Sequence, residues 1–447
     1  MESHPTSDEI VRFLGSQTAQ ENRRFASHLL ECAQCRRLAL QTLRPVAEPP
    51  GAGKVLQYRP SANGQLGGGT AAWRERLRAA VREVEEGEAL VAELKRHPRH
   101  RWPLIVRHQE RFHTLAVAQR LVAESRDAVF EEPRAGVQVA ELALAVLAGL
   151  DPAVYGGRLL DDVRGRAWTA IGAGRRLAND FDGAEEAFRR AGELLAETAD
   201  PLEQGGYLYR LAALRRDQRR FDEGRTLLDR ARELFSEAGD DRMMARALTS
   251  LGLLHLDEGM PAEALPPLLE AIERVDESDD PRTALYARHN LAMGLAELGE
   301  CDQARRLVLG CQDAYARSGD AHILLRARWL EGVIAAGSGD QARGEALFRD
   351  VRAVLLERGQ AYDAALASLD LATLLAAQGR SVELRELAEE MATTFLAFDI
   401  HREAAAALAF FRHAVLHERA SADLVAAIGR YLKRARNRPD LSFAAGI

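Results

Sequence analysis

The chain has 447 residues, of which 47% are hydrophobic and 28% are charged, and its formal net charge is −7. This length and apolar content allow several domains with hydrophobic cores. The negative net charge excludes a chain that is basic throughout, as a general nucleic-acid-binding or membrane-surface protein would be. Four cysteines are too few for a disulfide framework.

The sequence begins with polar and acidic residues and has no apolar core of a signal peptide. Its longest strongly apolar run, Val139–Leu150, contains a glutamate and is too short to cross a bilayer. We therefore predict a soluble, cytoplasmic protein that contacts no membrane. A reducing cytoplasm favours metal-binding or core roles for the cysteines.

A histidine and two cysteines in the segment HLLECAQC form the first motif in the chain. His28, Cys32 and Cys35 are spaced four and three residues apart, so at about 100° per residue they point along one face of a helix. Zinc takes four nitrogen or sulfur ligands in a tetrahedron, and one helix face supplies only three. We expect His4, at the start of a preceding antiparallel helix, to be the fourth ligand.

These four residues resemble the zinc-finger module of zinc-binding anti-sigma factors, in which HPTSDEIVRFL would hold the first ligand and first helix. The resemblance implies a module at 1–43 that binds one Zn²⁺ and holds a sigma factor. A segment this small has little core, so the metal would stabilise it. Two alternatives remain at this stage: partly buried thiols without metal, and a redox switch in which thiol oxidation releases zinc.

Residues 44–70 are rich in proline and glycine and predict a linker. Residues 71–164 show helical periodicity and predict an N-terminal helical cap, with a break between two helices near Pro133. The helix predicted at 72–95 belongs either to this cap or to a sigma-clamping element after the linker.

The long middle of the chain repeats with a period of 40 residues: the pair Phe181 and Asp182 recurs as Phe221 and Asp222. Small residues recur at Gly172, Ala212, Gly252, Ala292, Gly332 and Ala372, and again at Ala184, Gly224, Ala264, Ala304 and Gly344. An apolar series runs through Phe188, Leu228, Leu268, Val308, Phe348 and Ala388.

This pattern predicts an all-α solenoid of about six 40-residue helix hairpins over 165–400, with capping helices at 401–447. Small residues belong where the two helices of a hairpin cross closely, and we expect the apolar series to fill the interface with the next hairpin. Cys301 and Cys311 fall in this register and are expected to be packing residues.

The register resembles the tetratricopeptide repeat, because Trp168, Gly172, Ala184, Phe188 and Ala191 match that family's characteristic positions. The family's usual unit has 34 residues, so each unit here is about six residues longer. The resemblance implies a groove lined by the first helix of each hairpin. The residues it assigns to partner binding are Arg166, Tyr209, Arg246, Tyr286, His289, Asn290, Arg326 and Trp329, with Leu253, Met293 and Val333 beside them.

No catalytic motif is present in the sequence. The segment GAGK at 51–54 lacks the remaining residues of a phosphate-binding loop, and the histidines and arginines of 97–113 are expected to form a solvated basic surface. We therefore predict a non-enzymatic regulator whose repeats bind a protein or peptide while the zinc module controls a transcription factor such as a sigma factor. The alternative is an assembly scaffold in which zinc is purely structural. Nucleic-acid binding is not expected.

Overall fold

The computed structural model describes residues 70–397 apart from 197 and 199, together with residues 402–416 and 419–435. Across these ranges the chain forms helices joined by short turns, without any strand. The fold is therefore all-α, as predicted. The predicted zinc-finger module, with His4, His28, Cys32 and Cys35, lies outside the described residues, as does the predicted linker up to residue 69.

Two compact units divide the chain between Glu203 and Gln204. The α-helices of the first unit, within the described residues, are α1 (Thr70–Leu94), α2 (Trp102–His108), α3 (Leu115–Glu131), α4 (Pro133–Ala148), α5 (Pro152–Tyr155), α6 (Gly157–Leu177) and α7 (Phe181–Leu195). Helix α8 (Pro201–Asp217) begins in the first unit and continues into the second.

The core of the first unit lies between α1, α3, α4 and α6. Phe112, Leu121, Leu147 and Leu160 are fully buried there. Helix α4 begins at Pro133, where the sequence predicts a break, because proline lacks the N–H that the first turn of a helix leaves unpaired in any case. Within this unit α4 packs against both α3 and α6, so the hairpin of α3 and α4 contacts the hairpin of α6 and α7.

The remaining α-helices of the second unit, within the described residues, are α9 (Phe221–Ala238), α10 (Asp241–Glu258), α11 (Pro261–Arg274), α12 (Pro281–Glu297), α13 (Cys301–Gly310), α14 (Gln312–Ser318), α15 (Ala321–Gly337), α16 (Gln341–Glu357), α17 (Ala361–Ala377), α18 (Ser381–Ala397), α19 (Arg402–Leu416) and α20 (Ala422–Ala435). None of the described helices is long and apolar enough to span a bilayer.

The 40-residue period follows from close crossings inside each hairpin. A Cβ atom added to Gly252 of α10 would lie 2.4 Å from Cγ of Leu268 on α11, and one added to Gly332 of α15 would lie 2.8 Å from Cε1 of Phe348 on α16. The small and apolar series therefore meet each other within a hairpin. Leu268 also shares a buried cluster with Leu291 of the next hairpin, and Phe348 shares one with residues of α17. The apolar series therefore packs on the small residue of its own hairpin and, as expected, against the next hairpin.

The turn between the two helices of a hairpin also repeats. Gly259 and Gly299 have φ values of 81° and 84°, in the left-handed region where a Cβ atom is strained. Asn179 and Arg219 occupy the equivalent position in the first two hairpins, each with a φ of 60°. A residue in the left-handed conformation therefore follows the C-terminus of each first helix, at the same position of the 40-residue period.

Acidic residues cap the first helices of successive hairpins. Asp240, Asp280 and Asp320 lie 40 residues apart, and their carboxylates accept hydrogen bonds from the backbone N–H groups of Met243 (2.9 Å), Thr283 (3.2 Å) and His322 (2.9 Å), respectively. Such a cap satisfies a backbone donor that the first turn of a helix leaves unpaired.

Candidate functional site

The residues predicted to bind a partner all lie on first helices of hairpins. We call "first-helix face" the set of positions equivalent to Arg246, Thr249 and Ser250 in the five first helices of the second unit, which are α8, α10, α12, α15 and α17. Seven of the eight predicted residues belong to it. Arg166 lies in the first unit, where it forms an ion pair of 3.3 Å with Glu203.

Arg246 is bound to the acidic cap of the next hairpin. Its Nε donates to Oδ2 of Asp280 at 2.7 Å, and the Thr283 hydroxyl donates to the same oxygen at 2.8 Å. Asp280 is only 5% exposed. Burial alone would raise the pKa of this carboxyl, but Arg246 and Thr283 hold the pKa below its usual value, so Asp280 stays ionised.

The next hairpin repeats this bridge with a different donor. The Tyr286 hydroxyl, at the position equivalent to Arg246, donates to Oδ2 of Asp320 at 3.1 Å. In the hairpin after that, Nε1 of Trp329 donates to Oδ2 of Asp370 at 2.7 Å. Three predicted partner-binding side chains of the second unit thus donate to carboxylates of the following hairpin, and whether they also contact a partner stays a prediction.

His289 is buried between hairpins, with 1% of its surface exposed. Its Nδ1 lies 2.9 Å from the Tyr315 hydroxyl, and its Nε2 has no hydrogen-bond partner. Burial, reinforced by the charges of Arg326 and His322, lowers the pKa of His289 to about 3. The imidazole is therefore neutral at pH 7. Burial also raises the pKa of Tyr315, so its hydroxyl stays protonated and able to donate to Nδ1.

Two further polar groups near His289 lack partners. Asn290 is 1% exposed, and its Nδ2 makes no hydrogen bond. Arg326, at the position equivalent to Tyr286, makes no hydrogen bond or ion pair within the described residues, although its charge lowers the pKa of His289. Both groups are pure donors, so a ligand that satisfied them would offer acceptors such as carbonyl or carboxylate oxygens.

Tyr209, the remaining predicted residue, lies on α8 at the position equivalent to His289. It is half-buried, and it lies close enough to interact with the charge of Arg216 on the same helix. Burial disfavours the charged form of Arg216 and lowers its pKa, but the carboxylates of Asp217 and Asp257 raise the pKa above its usual value. The guanidinium therefore stays charged beside these two carboxylates.

The C-terminal helix α20 packs on the first-helix face at its last hairpin. Leu366 and Leu369 of α17, equivalent to Arg326 and Trp329, belong to one buried cluster with Ile428 and Leu432 of α20. Residues 401–447 are predicted from sequence to form capping helices, and the contact of α20 with the first-helix face is not predicted. The available signal was the apolar spacing of Val425, Ile428 and Leu432 on α20.

Outside this face, the basic segment of the first unit borders a cleft lined by residues including Lys95, His97, Arg99 and Trp102. Nζ of Lys95 is paired with Glu124 at 2.5 Å, and Nε1 of Trp102 donates to the His97 carbonyl at 3.0 Å. These contacts are internal to the unit.

Cys301 and Cys311 are free, buried thiols. Within the part of the chain that the structure describes, no group of three or more His, Cys, Asp or Glu side chains is placed to hold a metal ion.

Residues 205–277 match the family model of the tetratricopeptide repeat. No protein with a curated description matches the sequence significantly. The fold is similar to the crystal structure of a Rap protein complexed with competence and sporulation factor, with a TM-score of 0.51 and 13% identity over 70% of this chain and 88% of the other.

Two further solved structures are less similar. They are aspartyl phosphate phosphatase F from Bacillus subtilis (TM-score 0.44, 13% identity, 100% of this chain and 98% of the other) and the Rap conjugation gene regulator of plasmid pLS20 in complex with the Phr* peptide (TM-score 0.40, 9% identity, 71% and 97%). At these identities the likeness concerns the fold alone. Part of the second unit, residues 205–277, thus matches the tetratricopeptide repeat, within an array of helical hairpins.

Proposed function

We propose that this chain is a non-catalytic interaction protein whose first-helix face binds a segment of a protein or a peptide. The observation that carries the proposal is the partly buried guanidinium of Arg326 in the middle of this face, which makes no hydrogen bond or ion pair within the described residues, together with the buried, unsatisfied Nδ2 of Asn290. Nδ2 of Asn290 is buried without an acceptor, which destabilises a protein by about 1–3 kcal/mol, so a ligand that supplies an acceptor to this group gains that free energy on binding.

The surroundings of these donors suit a polypeptide ligand. Tyr286 and Trp329 lie beside them and are partly buried, and aromatic and arginine side chains are the types that contribute most to protein interfaces. Backbone carbonyls, acidic side chains and a terminal carboxylate are the acceptors that a peptide offers. The match to the tetratricopeptide repeat, together with a Rap protein of similar fold that was solved with a bound factor, supports the same function.

For the N-terminal segment we propose one Zn²⁺ bound by His4, His28, Cys32 and Cys35, in a module that holds a transcription factor, most specifically a sigma factor. The support for this part is the ligand spacing and the resemblance to zinc-binding anti-sigma factors. Peptide binding by the repeats would then regulate what the module holds.

The test is quantitative capture of partners by the full-length protein and by the variant Asn290→Ala with Arg326→Ala. Its control is Arg274→Ala. Arg274 is paired only with the exposed carboxylate of Asp241 and the half-exposed carboxylate of Glu270, and neither residue belongs to the first-helix face. We expect a partner that wild type and the control capture equally and that the double variant loses. Equal capture by all three proteins would contradict the assignment of this face.

The identity of the captured protein distinguishes a transcription regulator from an assembly scaffold. A sigma factor or RNA polymerase, lost on Cys32→Ser, supports control of transcription by the module. A partner set without either of them, and unaffected by Cys32→Ser, would instead indicate an assembly scaffold with a structural zinc ion.

A further inference from the structure

Helix α20 buries one apolar stripe. Val425, Ile428 and Leu432 are 0%, 0% and 1% exposed, and their spacing of three and four residues places them along a single side of the helix. Arg430, between them in sequence, is exposed. The helix is therefore amphipathic, with its apolar side turned to the repeats.

The surface under this stripe is the last part of the first-helix face. Leu366 and Leu369 of α17 share the buried cluster of α20, and Cδ1 of Leu369 would lie 4.0 Å from a Cβ atom added to Gly429. The Tyr362 hydroxyl donates a hydrogen bond to the backbone carbonyl of Leu432. Contacts thus extend along α17 on the side that corresponds to Arg326 and Trp329 of the preceding hairpin.

A helix that simply extended the stack would pack mainly on its sequence neighbour. Helix α19 does so, since it packs on α18, whereas α20 packs more extensively on α17 than on α19. Cα atoms of α20 also lie within 8 Å of Cα atoms of α10, three hairpins earlier. Its 14 residues span about 21 Å, which is enough to connect these two first helices along the face.

The geometry points to α20 as an internal occupant of the binding face, and to an amphipathic helix as the class of partner that this face accepts. Such a partner carries apolar residues at positions i, i+3 and i+7, as α20 does at Val425, Ile428 and Leu432. To bind at α17 such a partner must displace α20, so the chain's own helix weakens the apparent affinity of the partner. This inference rests on the proposed function of the first-helix face and names its ligand class.

A labelled peptide of residues 419–436 is the probe for this inference. It is titrated into full-length wild type, into Val425→Asp with Ile428→Asp, which releases α20, and into the control Arg430→Asp, which places a charge on the exposed side of the same helix. If α20 covers the face nine-tenths of the time, release strengthens apparent binding about tenfold. We expect this gain in the released variant only, and its loss when Leu369→Asp is added.

A peptide with Ala427→Pro serves as the control for the ligand class, because proline in the middle of a helix disrupts it. We expect this peptide not to bind the released variant. Binding equal to that of the original peptide would overturn the helical ligand class in favour of an extended one. Equal affinity of wild type and the released variant for the probe would overturn the occupancy of the face by α20.

A second measurement avoids substitutions in the protein. Amide hydrogen exchange of residues 422–435 is followed in wild type with and without saturating probe, and we expect faster exchange when the probe displaces α20. Unchanged exchange at saturation contradicts displacement. Failure of these experiments while Asn290→Ala with Arg326→Ala still loses its captured partner would reject this inference and leave the proposed function intact. If Leu369→Asp abolishes probe binding while Asn290→Ala with Arg326→Ala leaves partner capture unaffected, the proposed function is rejected and this inference is retained.

Discussion

Arg246 and Asp280 lie 34 residues apart in sequence, yet Nε of the first donates to Oδ2 of the second at 2.7 Å across the boundary between two hairpins. The same separation joins Tyr286 to Asp320 at 3.1 Å. Each bridge uses the carboxylate that also caps the next first helix, so one acidic residue fixes both the start of a helix and its contact with the preceding hairpin.

The replacement Arg246→Gln should destabilise the second unit by about 2 kcal/mol, because it leaves the buried carboxylate of Asp280 with the hydrogen bonds of Thr283 and, as a cation, only the more distant Arg242, at 3.6 Å. Urea unfolding at pH 7 measures the change. The matched control Arg274→Gln, whose partner Asp241 is exposed, should cost no more than about 0.5 kcal/mol.

The same pair makes an acid-dependent prediction. The pKa of Asp280 is lowered in the folded state, so its contribution to stability is present above the unfolded value of about 4 and is lost as the pH falls through the lower folded value. The gap in unfolding free energy between wild type and Arg246→Gln should therefore narrow below about pH 4. A gap that stays constant would show that the arginine acts through packing.

His289 should make the second unit less stable in mild acid. Its folded pKa is about 3, whereas the unfolded chain binds a proton near the ordinary value of 6.5, so the unfolded state is favoured as the pH drops below 6.5. At pH 5 the effect amounts to about 2 kcal/mol. We expect His289→Gln to remove this part of the pH dependence between pH 7.5 and pH 5.

Urea unfolding curves at both pH values test the assignment, with His413→Gln, on the exposed surface of α19, as the control. The control should keep the pH dependence of wild type. If His289→Gln keeps it too, the buried imidazole is not the titrating group.

The left-handed turn glycines should respond to alanine in the opposite way to a helical glycine. Gly299 has a φ of 84° and open space around it, so Gly299→Ala should destabilise by about 1 kcal/mol through backbone strain alone. Gly310 has equally open surroundings but an ordinary helical conformation, so Gly310→Ala should stabilise the protein by about 0.5 kcal/mol. Thermal unfolding of the two variants compares them, and a shift of the same sign in both would contradict the argument.

The N-terminal module should contain one zinc ion per chain. Native mass spectrometry of the reduced protein should show this ion in wild type and in His108→Ala, and should show its loss in His4→Ala and in Cys32→Ser. Absence of zinc from the reduced wild-type protein would contradict the zinc site that the resemblance to anti-sigma factors implies. The two cysteines of the module would then be ordinary thiols.

The hairpins were predictable because side-chain volume at a helix crossing recurs with the period of the chain. Gly252 and Leu268 appear in sequence as a small and an apolar residue in two parallel series, and the structure shows why one requires the other. The contact of the apolar series with the next hairpin was predicted, but its contact with the small residue of its own hairpin was not, since a one-dimensional period does not distinguish packing within a hairpin from packing between hairpins.

The bridges and the position of α20 were not predictable in the same way. Arg246 and Asp280 are both common surface residue types, and only the fold brings them together. The amphipathic pattern of α20 indicates that one side is buried, but it does not identify the surface that covers this side. Both features depend on contacts between distant parts of the chain.

The bridges also bear on how such an array can grow. Arg246 and Asp280 both fall between residues 241 and 280, and Tyr286 and Asp320 both fall between 281 and 320, so each pair is contained in a single 40-residue segment. A tandem duplication or deletion of one such segment, joined at the cap aspartate, carries both members of the pair together. Gene-level gain or loss of whole hairpins can therefore change the length of the array without leaving a buried carboxylate unpaired.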